Sequence, residues 1–239
     1  MTVQENSYDR LAPHFRSYSE ARAAYLGAVD QLILQRIQRG AGSLLDVGSG
    51  DGRRALALAR SCSISRLVLS DPSEEMASHC RRLDGVDEVW QVAAENLPSS
   101  VESFDIITCL WNVLGLIAGA AKRTEALRRM RSLVSPKGQI FLDVNNRYNA
   151  TAYGWLPTAG RLIYDIIHPS EENGDVTFDW RVGGEVIRSR GHVFRLGEMK
   201  DLIKAAGLKI ISHDIIDYET GRSRRFTFGG QLFYELAKK

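Results

Sequence analysis

Leu44-Leu45-Asp46-Val47-Gly48-Ser49-Gly50-Asp51-Gly52 decides how this chain is read. A short apolar run carries an acidic residue near its end and then breaks into three glycines at alternate positions. Arg53-Arg54-Ala55-Leu56-Ala57-Leu58-Ala59-Arg60 follows, apolar and small on one side of a helix. Strand, glycine-rich turn and helix open an α/β nucleotide-binding unit. Glycine reaches positive φ cheaply and lets a ligand approach the bare backbone.

Downstream of the turn the alternation is regular. Apolar runs at 44–47, 67–70, 89–93, 106–110 and 140–144 read as buried parallel strands, with helical patterns at 53–62, 73–83 and 119–133 between them. Such alternation implies a parallel sheet with helices on both faces. Pro136-Lys137-Gly138 reads as a turn feeding the fifth strand. A helix over 196–206 ends at Gly207, and a strand over 209–215 follows. The last strand, 231–237, comes with no helix before it and should run antiparallel. The expected architecture is a three-layer α/β domain on a seven-stranded, mostly parallel sheet whose final strand is antiparallel.

Two stretches depart from that rhythm. Residues 1–40 are mainly helical, with Tyr25, Val29, Leu32, Ile33 and Ile37 at helical spacing and Gly40 and Gly42 as the stop. Ahead of them, Tyr8, Phe15 and Tyr18 either pack onto the core or fold over a ligand pocket as a lid. Residues 145–175 hold a helical stretch interrupted by Gly154, Pro157, Gly160 and Pro169. The runs at 176–182 and 185–194 flank Gly183-Gly184, a two-residue hairpin signal. The chain thus divides as one domain, 1–239. Residues 1–40 form an N-terminal lid, 43–145 and 196–239 the ligand-binding core, and 146–195 an insertion on the substrate side.

The 239 residues are 44% apolar and 25% charged, as in ordinary globular proteins. No apolar run approaches the ~20 residues that span a bilayer. The first ten residues have no apolar core, so no leader is expected and the chain reads as cytoplasmic. A net charge of +2 is too small to argue for a nucleic-acid footprint. Cys62, Cys80 and Cys109 are odd in number and widely spaced, and the five histidines show no ligand spacing, so neither disulfides nor a metal site are expected.

Two phosphate-binding classes fail on the glycine turn. A dinucleotide fold wants G-x-G-x-x-G, and Arg53 occupies the third glycine position while Asp51 sets a negative charge near the phosphates. No G-K-[ST] follows, which excludes a Walker loop. A zwitterionic, phosphate-free ligand suits the turn better, with Asp46 and Asp51 available to an ammonium group at roughly 1.5–3 kcal/mol per charge-assisted hydrogen bond.

The pattern resembles motif I of the class I (Rossmann-like) S-adenosylmethionine-dependent methyltransferases, L-D-x-G-x-G-x-G. Later motifs follow in order: Leu67-Val68-Leu69-Ser70-Asp71, Pro72-Ser73-Glu74-Glu75-Met76, Ala93-Ala94-Glu95-Asn96-Leu97-Pro98, the strand over 104–110 and the turn over 133–139. The resemblance covers 43–145 and 196–239. It implies S-adenosyl-L-methionine as cofactor, bound by Asp46, Gly48, Ser49, Gly50, Asp51, Asp71, Pro72, Met76, Ala94, Glu95, Leu110 and Trp111. Asp71 would take the ribose hydroxyls and Met76 pack on the adenine. Ala93 departs from the family's aspartate, leaving that contact to Glu95 or the Ala94 backbone.

Substrate-side candidates are Tyr8, Tyr18, Asn112, Asn146, Arg147 and Tyr148, the last four just past the fourth and fifth strands. Open α/β sheets hold ligands there. Asn112, Arg147 and His168 are the candidates for a catalytic role; His14, His192 and His213 are also possible bases but sit in no recognisable pattern. The sulfonium is already activated, so methyl transfer needs positioning more than acid–base power. The first expectation is methylation of a small-molecule nitrogen or oxygen, with nucleic acid disfavoured, since neither N-P-P-[YF] nor a catalytic Pro-Cys appears. A tRNA or protein methyltransferase of the same fold, and a cofactor-binding protein without catalysis, are the alternatives, with a dehydrogenase behind them.

Overall fold

In the computed structural model, residues 3–99 and 102–239 are described. Met1 and Thr2, which begin the expected N-terminal lid, and Ser100 and Val101 lie outside the described residues. The strands are β1 Ser43–Val47, β2 Arg66–Ser70, β3 Glu88–Trp90, β4 Phe104–Cys109, β5 Val134–Val144, β6 Asp175–Val182, β7 Glu185–His192, β8 Leu208–Ile216, β9 Ser223–Arg224 and β10 Gln231–Lys238. The main sheet has the order β3-β2-β1-β4-β5-β10-β8-β9, and β6 pairs with β7 in a separate hairpin. As the missing helix implied, β10 is antiparallel to both its neighbours.

Successive side chains of a strand point to opposite faces, and this produces the three layers. Leu45 and Val47 of β1 face the helices Ala120–Leu133 and Leu196–Ala205. Leu44 faces the helices Ala23–Arg36 and Arg53–Ser61 on the other side. These leucines and the valine are at most 1% exposed, and each contributes roughly 1.5–3 kcal/mol by leaving water. The register places Asp46 beside Thr108 of β4, which matters for the site below.

Three details differ from expectation. The main sheet gains an eighth strand, the two-residue β9, too short to show a period and held on β8 by Ile215 and Ile216. Strand β3 stops at Trp90, because the chain then turns into a 3-10 helix, Ala94–Asn96, at the ligand end of the sheet. Pro136-Lys137-Gly138 lies inside β5, in an irregularity where Phe104 pairs with Val134 and Ile106 already pairs with Gln139.

The N-terminal helices and the hairpin form one roof. Leu11, Trp180 and Ile187 make its small core, with Tyr8, Phe15, Tyr18 and Phe178 packed around them. Gly183 and Gly184 have φ of 57° and 82°, as the tight hairpin turn requires. Ser73 Oγ donates to Asp9 Oδ1 at 2.6 Å, which pins the first helix, Val3–Leu11, to the end of β2. Among the described residues, no helix is long and apolar enough to cross a membrane.

Candidate active site

The glycine turn leaves β1 with φ of 72° at Gly48 and 56° at Gly50. A Cβ on Gly48 would lie 2.4 Å from Val113 and one on Gly50 2.6 Å from the Phe15 ring, so neither position accepts a side chain. The Gly48 and Ser49 amides both donate to the Ser70 carbonyl, at 2.8 and 2.9 Å, tying the turn to β2.

Two buried carboxylates flank this turn. Thr108 Oγ1 donates to Asp46 Oδ1 at 2.6 Å. Burial pushes Asp46 up to about 6 even though that bond favours its charged form. Asp71 Oδ2 accepts from the Gly50 amide and Oδ1 from the Ser73 amide, both at 2.9 Å. Burial raises Asp71 to about 7, against the pull of those two bonds.

The cleft has two chambers. One, of about 700 Å³, runs from Asp71, Pro72, Ala94 and Glu95 to a mouth at Lys122, Thr177 and Arg190. The other, of about 630 Å³, is lined by Asp30, Asp46, Ser49, Asp51, Arg53 and Arg54. Phe15, Gly48, Leu110 and Trp111 border both. Phe15 meets Trp111 edge-on, with ring centroids 5.8 Å apart, and Tyr18 stacks on Trp111 at 5.2 Å.

These residues fit the cofactor that the sequence pattern implies. Each Asp71 oxygen takes one amide and has a second lone pair for a ribose hydroxyl. Bare backbone faces the middle of the molecule, and Asp46 with Asp30 offers a negative end for an ammonium. Arg54, 2.7 Å from Asp30, and Arg53 offer cations for a carboxylate.

The expected residues do not all gather here. Asp46, Gly48, Ser49, Gly50, Asp51, Asp71, Pro72, Ala94, Glu95, Leu110, Trp111 and Tyr8 line one chamber or the other. Asp51 also accepts from the Arg53 amide at 3.2 Å, where it supports the helix start. Glu95 lies 3.8 Å from Lys122 Nζ. Met76 is fully buried and lines neither chamber; its amide is taken by the Ser73 side chain at the helix cap. Tyr18 lines neither chamber and stacks on Trp111, which borders both.

The candidates past β4 and β5 serve the scaffold. Asn112, at φ 63°, accepts from the Asn145 amide at 2.9 Å and donates to the His192 carbonyl, joining three strand ends. Asn146 donates to the carbonyls of Thr227 and Gly230. Arg147 is buried against Asp165, and Tyr148 donates to the same carboxylate at 2.6 Å. His168 is exposed at the end of the helix Trp155–Ile167, against Tyr164. None of these five lines either chamber, because each is drawn to a partner in the insertion or the loop before β10.

Sequence reasoning missed two features. Asp143, buried in β5, accepts from the Trp111 amide and the Tyr25 hydroxyl, and so holds Trp111 at φ 62°. Its only signal was an acid inside the run Phe141-Leu142-Asp143-Val144. Asp175 lines the first chamber with Oδ1 2.6 Å from His192 Nδ1 and 3.3 Å from Arg123 Nη2. His192 Nε2 lies 2.7 Å from Glu198 Oε1, so the ring is clamped between two carboxylates.

Residues 44–138 match the family model described as a methyltransferase domain. No curated protein sequence matches the chain. A solved S-adenosylmethionine-dependent methyltransferase from Clostridium acetobutylicum superposes with a TM-score of 0.67 at 16% identity, covering 97% of this chain and 98% of that one. An amino pentose methyltransferase from Micromonospora echinaspora, solved with S-adenosylmethionine bound, gives 0.64 at 16%, covering 94% and 96%. A sugar N-methyltransferase from a Streptoalloteichus species gives 0.61 at 17%, covering 95% and 92%. At these identities the structures share the fold.

Proposed function

We propose that this chain, which carries a methyltransferase domain at 44–138 and shares the fold of S-adenosylmethionine-dependent methyltransferases, transfers a methyl group from that cofactor to a nitrogen or oxygen of a small molecule held beneath its roof. The roof itself carries this reading. Tyr8 and Phe178 meet Trp180 at 5.0 and 5.2 Å, and Tyr18 meets Trp111, so an aromatic bridge spans the ligand end of the sheet. The first chamber, of about 700 Å³, has the volume of a small-molecule site rather than of a surface for a folded nucleic acid. The amino pentose and sugar N-methyltransferases that share the fold agree with an acceptor of that size.

The bound cofactor supplies an electrophilic methyl group; the chain's residues do the rest. Asp71 and the Gly48–Gly50 backbone hold the nucleoside end, and the Asp46 chamber holds the amino-acid end. Phe15 and Trp111 exclude water where the chambers meet, which strengthens every polar contact inside. Tyr8, Thr177 and Asp175 line the acceptor side. Asp175, oriented by His192 and Arg123, is the carboxylate placed to take a proton from the acceptor.

Release of the demethylated cofactor, measured over panels of amino sugars, small amines and phenols alongside unmodified tRNA and peptides, tests this. Turnover is expected only with small acceptors and with little dependence on salt. Methylation of tRNA that falls steeply with added salt would sink the proposal. So would tight cofactor binding with no turnover on any acceptor class.

A further inference from the structure

The helix Trp155–Ile167 is inside out. Its two fully buried residues, Thr158 and Asp165, are polar. Six large side chains, Trp155, Leu156, Ile163, Tyr164, Ile166 and Ile167, are instead 55–87% exposed. Asp165 fixes this orientation, because Arg147, the Tyr148 hydroxyl and Asn173 all donate to it. The Thr158 hydroxyl is satisfied by the Gly154 carbonyl at 2.7 Å. Arg161, the one cation of the helix, lies over the Tyr153 ring at 4.6 Å. The outward face therefore carries no charge.

The size of the face argues for a protein partner. At ~150–250 Å² for a large side chain, these residues leave roughly 800 Å² of apolar surface in water. The largest patch on a typical monomer is roughly 300–600 Å². A standard interface takes about 800 Å² from each partner. Phe228 borders the patch, its ring 6.2 Å from that of Trp155.

Its pattern argues for a second copy. Leu156, Ala159, Ile163 and Ile166 recur at the three-and-four spacing of a helix that packs along another helix. Ala159 and Gly160 lie near the middle of the stripe, with bulk on either side, and a Cβ built on Gly160 meets nothing within 4 Å. Such a stripe matches itself when a second helix is turned antiparallel across it, as a two-fold interface requires. A helix lying on a lipid surface carries cations on its polar face; here that face is occupied by the Arg147–Asp165 pair inside the protein. We propose that the chain is a homodimer whose interface pairs the helices Trp155–Ile167 of two copies.

Light scattering and sedimentation of the full chain over a micromolar range test this, with readouts independent of methyl transfer. The expected mass is twice that of the monomer. Ile163→Asp and Gly160→Glu should each give monomers with unchanged circular dichroism and cofactor affinity. Ala159→Cys should give a covalent dimer on mild oxidation that the parent protein, which keeps Cys62, does not. A parent protein that stays monomeric overturns the proposal, as does a dimer that survives both charged substitutions. Flotation with phosphatidylcholine and phosphatidylserine vesicles completes the test: a monomer that floats assigns the face to lipid instead.

Discussion

Asp71 is pulled in two directions. Without cofactor, burial favours its protonated form and raises its pKa to about 7, well above its value in the unfolded chain. A carboxyl raised in this way contributes stability that is fully present below the unfolded value and is lost as pH rises through the folded one. Asp46, raised to about 6, contributes to the same slope, and Asp71, raised to about 7, carries it to the higher pH. The free protein should therefore melt at progressively lower temperature from pH 5 to pH 8. Asp71→Asn should flatten the upper part of that slope. It should also lower stability overall by about 1–3 kcal/mol, because an amide N–H faces an amide donor at Gly50 or Ser73. Under the proposed role cofactor affinity has the opposite sign: ribose hydroxyls would donate to the ionised form, so calorimetry should show binding tightening several-fold from pH 6 to pH 8. A variant that keeps the parent slope, or an affinity flat in pH, would remove Asp71 from this role. At this scale the motif residues were legible because glycines and acids at fixed spacing leave a mark in the chain. Asp143 and Asp175 were not, since each takes its meaning from a partner elsewhere, Tyr25 and Trp111 for one and His192 and Arg123 for the other.

The helix Trp155–Ile167 shows what fixes an element when apolar burial does not. Its orientation rests on Asp165 and Arg147, whose side chains are 1% and 5% exposed. Burial lowers the Arg147 pKa, and the Asp165 carboxylate opposes that shift. Removing one partner from such a pair leaves a buried charge unpaired, at a cost of about 3–5 kcal/mol, whereas replacing both with apolar residues is often neutral. Asp165→Asn should accordingly destabilise the insertion by that order, and Arg147→Met with Asp165→Leu by much less. Thermal melts combined with hydrogen exchange over 147–173 would show it; equal losses in the single and double variants would mean that the pair orients nothing. Strands were the most legible elements, because those buried on both faces, such as β1 and β2, read as continuous apolar runs. The hairpin was legible through Gly183-Gly184. The two-residue β9 was not, for it has no period to read. Nor was the outward face of this helix, because periodicity reveals an apolar stripe but not the side on which it lies.

Across the whole molecule, the sheet and its two helical layers follow from sequence periodicity, while the roof follows from contacts between segments far apart in the chain. Trp180 Nε1 donates to the Tyr18 hydroxyl at 3.2 Å, and Arg10 meets Glu185 at 3.1 Å. The exposed Arg10–Glu185 pair is worth at most about 1 kcal/mol, so the aromatic cluster holds the two halves together. A small cluster of this kind opens at lower free energy than the sheet core. The two chambers meet beneath it, at Phe15 and Trp111, so the proposed cofactor site would link ligand entry to roof opening. Cofactor should then slow hydrogen exchange together in 7–20 and 176–192, with little change in the buried central strands β1 and β4, where exchange is expected to need global unfolding. Trp180→Ala should speed exchange in both roof segments and weaken cofactor affinity several-fold, leaving the protection of the sheet intact. If the N-terminal helices and the hairpin respond independently, or if Trp180→Ala loosens the hairpin alone, the two segments do not act as one roof. In that case each covers its own part of the cleft, and access to the acceptor chamber is set by the hairpin without the N-terminal helices.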